Sequence, residues 1–244
     1  LDGLISHAGS YYVKDLTELS INTETRDLES DISSIEYTVI PVGNEESRAG
    51  WSDWATLQTT PLTAGQSYRV GIKVTNGVGL EKVVKSDPFI YDDSQPDNLE
   101  ISGPTEPMVS REMATFRLKG ADNDSPLVQY RLAIGSRPGG SELTSLLPEN
   151  REGWLEIDTT RSQVRIEIPE IESGTYYPTL EVVNAVGLKS SIEGTPFEID
   201  NSLERVVVAD QGPYTMFADR LTGWWSYHGK EEVTGYRYRL IDST

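Results

Sequence analysis

The 244-residue sequence has no cysteine. Structural disulfides, thiolate nucleophiles and cysteine-ligated zinc are thereby excluded. Histidine is almost as scarce. His7 and His228 are the two present, and they fall in different parts of the chain, so a histidine metal cluster has no basis. Positive charge is in deficit: Lys+Arg total 21 against Asp+Glu 39, a net charge of −18. Such a chain repels a phosphate backbone and an anionic membrane surface, which argues against nucleic acid as a partner. No apolar run approaches the roughly 20 residues of a membrane-spanning helix, so no transmembrane segment is expected. Leu1 opens directly on strand-like sequence and not on a basic start with an apolar stretch. The expectation is an internal piece of a longer polypeptide. Helical periodicity is missing as well, since no segment keeps an apolar i, i+3, i+4, i+7 pattern for three turns.

What is present is repetition. Ser67-Tyr68-Arg69-Val70-Gly71-Ile72-Lys73-Val74-Thr75-Asn76-Gly77-Val78-Gly79-Leu80 returns 108 residues later as Thr175-Tyr176-Tyr177-Pro178-Thr179-Leu180-Glu181-Val182-Val183-Asn184-Ala185-Val186-Gly187-Leu188. Asp87-Pro88-Phe89-Ile90-Tyr91-Asp92 and Thr195-Pro196-Phe197-Glu198-Ile199-Asp200 match at the same offset. Solenoid rungs run to roughly 20–50 residues, so a repeat of this length is a domain. Alternation is the dominant period, as in Tyr68–Val74, Tyr130–Ile134 and Val164–Ile168, and it predicts half-buried strands. Turn signals such as Asn76-Gly77 and Arg137-Pro138-Gly139-Gly140 break the chain at short intervals, which suggests a β-sandwich. A third copy shows in an aromatic strand: Ile35-Glu36-Tyr37-Thr38-Val39, Val128-Gln129-Tyr130-Arg131-Leu132 and Tyr236-Arg237-Tyr238-Arg239-Leu240. The expected division is therefore 1–92, 93–200 and 201–244, the last being the N-terminal half of a third sandwich. Three explanations stay open for that half: truncation, a partial view of a longer chain, or completion by strands of another chain.

Together these features resemble fibronectin type III and bacterial immunoglobulin-like modules of surface proteins. The motif comprises Trp51 or Trp154 at the start of a middle strand, then the leader Leu62-Thr63-Ala64-Gly65-Gln66-Ser67-Tyr68 or its shorter form Ile171-Glu172-Ser173-Gly174-Thr175-Tyr176. An alternating strand, Asn-x-x-Gly-Leu and a final strand ending in Asp complete it. The resemblance implies an all-β fold of tandem immunoglobulin-like sandwiches. Tyr68 and Tyr176 would be tyrosine corners, and Gly65 and Gly174 tight turns before them. Asn76 and Asn184 would be turn residues that tolerate positive φ and bond locally, with Gly79 and Gly187 closing the turn. Trp51, Trp154, Phe89 and Phe197 would be core.

Acidic loops are the first candidate site. Asp122 and Asp124 share a short loop, Asp92, Asp93 and Asp97 lie at the first junction, and Asp200 lies at the second. Calcium takes six to eight oxygens at about 2.3–2.6 Å, and an Asp-rich junction offers such ligands. Asp, Asn, Ser and Pro are equally the residues of any solvated turn. Trp224 and Trp225 are adjacent and form a candidate platform for carbohydrate or an interface. Glu167 and Glu170 are the nearest approach to the paired carboxylates of glycoside hydrolysis, but they flank a strand end as surface charge does. No phosphate loop, dinucleotide glycine motif or Gly-x-Ser-x-Gly elbow occurs, so no catalytic residue is expected. The reading is non-catalytic structural or adhesive modules of a large secreted or cell-surface protein. Their expected partners are neighbouring modules of the same polypeptide, with self-association or strand complementation as further possibilities. Accessory modules of a polysaccharide-degrading enzyme, or virion or appendage modules docking by strand addition, are the alternatives.

Overall fold

The computed structural model describes residues 6–7, 9–20, 25, 27–44, 46, 49–202, 205–210, 223–228 and 235. In the first repeat six strands form one sheet: β1 (Ser6–His7), β2 (Ser10–Val13), β3 (Ile32–Pro41), β4 (Ser67–Asn76), β5 (Glu81–Lys85) and β6 (Phe89–Tyr91). Their order is β1-β2-β6-β4-β3, with β5 also on β4. The pairings are antiparallel except β2 with β6, where Tyr11 lies opposite Phe89. The alternation anticipated for β4 buries Tyr68, Val70 and Ile72 against Val13, Val39 and Phe89.

Two short helical pieces complete that core, and one replaces an expected strand. Leu16 and Leu19 enter from a single 3-10 turn (Leu16–Glu18), started by Asp15, whose carboxylate accepts from the Thr17 N–H at 2.8 Å. Leu57 enters from α1 (Trp54–Leu57) and is fully buried. The tryptophan-led strand expected at Trp51 is thus a helix from Trp54 onward. Asp53 accepts the Thr56 N–H at 2.7 Å, and this N-cap turns the chain before a strand can extend.

The second repeat has the strands β7 (Asp97–Ser102), β8 (Met113–Ala121), β9 (Leu127–Gly135), β10 (Asn150–Arg151), β11 (Trp154–Ile157), β12 (Gln163–Glu167), β13 (Gly174–Asn184), β14 (Lys189–Glu193) and β15 (Phe197–Ile199). They form a three-stranded sheet, β12-β8-β7, and a second sheet, β10-β11-β9-β13-β14, with β15 on β13. Two sheets with this membership and order make an immunoglobulin-like sandwich of the fibronectin type III kind. Phe116 of β8 meets Phe197 of β15 edge-on at 5.7 Å, and Ala114, Phe116, Ile166, Leu180 and Ile199 are buried with them. Here the tryptophan-led strand forms as expected, β11 beginning at Trp154. In the third segment β16 (Arg205–Asp210) and β17 (Gly223–His228) pair antiparallel, placing Val208 opposite Trp225 and Ala209 opposite Trp224. The expected strand Tyr236–Leu240 lies outside the described residues.

By packing, the chain gathers into two compact units. One comprises Leu1–Leu99, Gly120–Gln129 and Val182–Ser190, and the other Glu100–Lys119, Tyr130–Glu181 and Ser191–Thr244.

The corners form by hydrogen bonds running in opposite senses. The Tyr68 hydroxyl accepts from the Thr63 N–H at 2.9 Å, whereas the Tyr176 hydroxyl donates to the Glu172 carbonyl at 2.9 Å. Gly65 supplies a left-handed turn at φ 74°. Gly174 does not: it starts β13 and pairs with Ile199, because the leader of this repeat is one residue shorter and the strand begins earlier. Asn76 and Asn184 sit in their turns and bond locally as expected, each accepting the N–H of the leucine four residues on. Gly79 (φ 87°) and Gly187 (φ 77°) take the positive φ, and the asparagines act through their side chains.

Trp51 and Trp154 are not core residues. Both are half-buried beneath a cation, Lys73 Nζ 5.1 Å from the Trp51 ring and the Arg131 guanidinium 4.8 Å from that of Trp154. Lys73 pairs with Glu36 at 2.7 Å, and Arg131 pairs with Glu181. Glu181 is the repeat-equivalent of Lys73, whereas Arg131 aligns with Thr38 and not with Glu36, so each repeat builds its own ion pair beside the ring. Cation and ring cover one another, and the ring serves the outer sheet face.

The corner hydroxyls yield a test. Tyr68→Phe leaves the Thr63 N–H without its acceptor, and about 1–2 kcal/mol of stability should be lost. Tyr176→Phe removes an equally part-buried bond to the Glu172 carbonyl and should cost a comparable amount. Urea denaturation of the two variants measures both.

Candidate functional site

Loops at one end of the first compact unit bring three of the six candidate aspartates together. Asp92 follows β6, where its N–H donates to the Val13 carbonyl at 2.9 Å. Its side chain is fully buried. Oδ1 of Asp92 accepts from the backbone N–H of Ser94 at 2.8 Å and from the Ser94 hydroxyl at 2.7 Å. The same hydroxyl lies 2.9 Å from Asp124 Oδ2. Asp122 caps its own loop, Oδ1 accepting from the N–H groups of Asp124 and Ser125 at 3.0 Å each.

Asn184 closes the arrangement. It is fully buried, and its Nδ2 donates to Asp92 Oδ2 (3.0 Å), Asp122 Oδ2 (3.0 Å) and the Ser94 carbonyl (3.1 Å). The carboxamide cannot be turned round. Its Oδ1 accepts the Leu188 N–H at 2.8 Å across the turn that Gly187 closes, so the amino group must face the carboxylates. Gly65 completes the wall: a Cβ there would lie 2.6 Å from Asp124 Oδ1.

This donor set does not fit calcium as arranged. Five of the six carboxylate oxygens of Asp92, Asp122 and Asp124 already accept protein hydrogen bonds. A cation would face the Asn184 amino group, which cannot ligate it. Ser125, beside the loop, keeps a buried hydroxyl with no partner among the described residues, a single oxygen where calcium takes several. Among the described residues no group of three or more His, Cys, Asp or Glu side chains is arranged to hold a metal ion. Asp93, Asp97 and Asp200 lie apart from the cluster. Asp93 accepts from the Tyr91 hydroxyl at 3.1 Å, Asp97 from the Asn98 side chain at 2.8 Å, and Asp200 from Ser202. Glu170 pairs with Arg111 and so is not half of a carboxylate pair with Glu167.

Sequence reasoning missed Ser94 and Asn184 as members of the site. The signal was present in the recurrence of Asn76 at Asn184, but the pattern equally describes a turn. Asn76 is built the same way. Its Oδ1 accepts the Leu80 N–H at 2.8 Å and its Nδ2 donates to Asp27 Oδ2 at 3.0 Å. Asp27 in turn caps Glu29 and Ser30 through Oδ1 at 2.9 and 3.0 Å. Asp27 and Asn76 therefore reproduce Asp122 and Asn184 bond for bond. The Asn76 amide, with the two N–H groups after it, holds the Asp27 carboxyl below the usual carboxylate range. The Ser202 hydroxyl and N–H lower Asp200, and backbone N–H donors lower Asp15, Asp53 and Asp158.

No family model matches the chain, and no curated protein matches it. Among solved structures it is similar to the chicken CNTN1 FN1-FN3 domains, at 12% identity and a TM-score of 0.34 over 66% of this chain and 51% of that one. The chain thus corresponds to about half the length of that structure. The assignment of the fold stands on the two sheets of the second repeat and their strand order.

Two outcomes follow. Asn184→Ala should cost on the order of 2–4 kcal/mol, because it leaves Oδ2 of the buried Asp92 carboxylate without its donor, Oδ1 alone keeping Ser94; thermal denaturation at neutral pH measures it. The lowered carboxyls fix the sign of the acid response. An unfolded chain binds protons at higher pH than the folded one, so their contribution is complete above the ordinary carboxylate range near pH 4 and is lost as pH falls through the lowered values. Melting temperature plotted from about pH 7 to pH 2 should be flat and then fall.

Proposed function

We propose that the chain is a run of non-catalytic β-sandwich modules with a mechanical role, spacing and presenting other parts of a large cell-surface or secreted protein. The observation that carries this reading is the buried Asn184 carboxamide. It fastens the Asp92–Ser94 segment leaving the first repeat to the Asp122 loop of the second, within one compact unit. A flexible linker needs no such lock, while a spacer gains stiffness from it. The acidic surface keeps such modules soluble and apart at high local density. Extracellular placement is part of the proposal, supported by the fold, and the cysteine-free composition is neutral toward it.

Calcium and carbohydrate are the competing ligands. Lys73 and Arg131 cover Trp51 and Trp154 and Trp54 packs against Tyr37 and the core, which leaves the adjacent pair Trp224 and Trp225 on β17 as the sugar candidate. Isothermal calorimetry with millimolar calcium should give no binding heat, since Asn184 and Ser94 already supply the cluster's donors. A saturable heat lost in Asp122→Ala would make the junction a calcium site and would overturn the donor-locked junction. On a glycan array no binding is expected. Binding abolished by Trp224→Ala or Trp225→Ala would move the chain to the accessory modules of a polysaccharide-degrading enzyme.

A further inference from the structure

The junction consists of two separable parts, and the chain carries a spare copy of each. One part is a socket: an asparagine amide and an aspartate that caps its own loop. The other is a plug, an Asp-x-Ser segment at the end of a module. In the assembled case the socket Asp122/Asn184 holds the plug Asp92/Ser94. Ser202 donates to Asp200 Oδ1 from its N–H at 3.0 Å and from its hydroxyl at 2.6 Å, as Ser94 does to Asp92 at 2.8 and 2.7 Å. The plug geometry thus recurs at the 108-residue offset. The socket geometry recurs at Asp27/Asn76. The two sockets differ in occupancy. Asn184 is fully buried and its amino group serves three acceptors. Asn76 is half-buried, and among the described residues its amino group serves Asp27 alone.

We propose that Asp27 and Asn76 form a docking site for the Asp-x-Ser end of another module of this kind, so that modules lock head to tail. The partner chemistry is specific. The site takes a carboxylate whose own serine caps it two residues on, together with the carbonyl of that serine, and one carboxamide amino group bridges both to the socket aspartate. A lone carboxylate would meet Asp27 as a like charge. The serine matters because it holds the incoming carboxylate in the orientation the amide needs. Such a contact is heterologous, joining different surfaces of the two modules, and it propagates a linear array instead of closing a dimer. The incoming segment has two sources: a preceding module of the same polypeptide, or Asp200–Ser202 of a second copy.

Two arms test the site and separate the sources. In trans, the cysteine-free background allows disulfide trapping. Gly65 lies against Asp124 in the assembled junction, and the equivalent positions across a copy-to-copy contact are Ser173 and Glu29. Differently tagged Glu29→Cys and Ser173→Cys single variants are mixed under mild oxidation. Heterodimers should exceed the random statistical share, and the excess should vanish when Asn76→Ala or Asp200→Ala is added to the corresponding variant. In cis, the full chain is extended by a further copy of its own residues 93–202 ahead of Leu1. The Asn76 side-chain amide is followed by 15N NMR. Exchange should slow about tenfold, the size of one hydrogen bond to a charged group, and should revert when the added copy carries Asp200→Ala. A random trans result with a protected cis amide assigns the site to the preceding module. Random cross-linking together with an unprotected, Asp200-independent amide overturns the proposal.

Discussion

An asparagine carboxamide is held at both ends in each repeat, and much of the surrounding geometry follows from that. Its oxygen takes the N–H of the Leu that ends the turn, at 2.8 Å in both Asn76 and Asn184. The turn is thereby closed by a side chain, and the following glycine is left to carry the positive φ. With the oxygen committed, the amino group has one direction left, toward the aspartate that caps the loop before the aromatic strand. One planar group therefore sets the hairpin between β13 and β14, the loop before β9 and the buried position of Asp92. Replacing it would release all three, and at Asp92, which is fully buried, it would leave a carboxylate oxygen without its donor.

The excess of acid is arranged in the same economical way. Many of the aspartates are bound to backbone N–H groups within three residues of themselves: Asp15, Asp27, Asp53, Asp92, Asp122, Asp158 and Asp200. Each acts as a local cap or turn, satisfying donors that a loop would otherwise expose. A high count of carboxylates in short loops is thus compatible with a role that uses no metal. On the sheet faces the few cations are concentrated. Lys73 and Arg131 each serve a tryptophan ring and an opposite-charge partner at once. The cations come from non-equivalent positions of the two repeats, yet each lies over the tryptophan ring of its own repeat.

Much of the fold was legible because strand alternation and turn chemistry are local. The alternating run Tyr68–Val74 and its copy became β4 and β13, the tyrosines became corners, and Phe89 and Phe197 filled the core. The misreadings had non-local or competing causes. Trp51 and Trp154 repeat as core residues repeat, yet each lies under a cation from a strand distant in sequence. The strand expected to begin at Trp51 from its match with Trp154 met an N-cap at Asp53, which turned the chain into a helix instead. Gly174 lost its turn to a shorter leader. In the candidate site the acidic residues were visible and their bonding was not. Six aspartates of equal chemical promise divided into three that share an amide and a serine and three that serve their own neighbours.

Composition and repetition by themselves determined the class of protein: all-β, modular, acidic, without thiol chemistry and without a spanning helix among the described residues. These follow from counts and periods that any fold must honour. Tertiary structure alone decided which of two identical-looking asparagines is buried and which aspartates meet. The reason is physical. A turn asparagine has the same local bonds whether or not a neighbour arrives, and only the approach of the Asp92–Ser94 segment to the loop of Asp122 turns a hairpin residue into a lock.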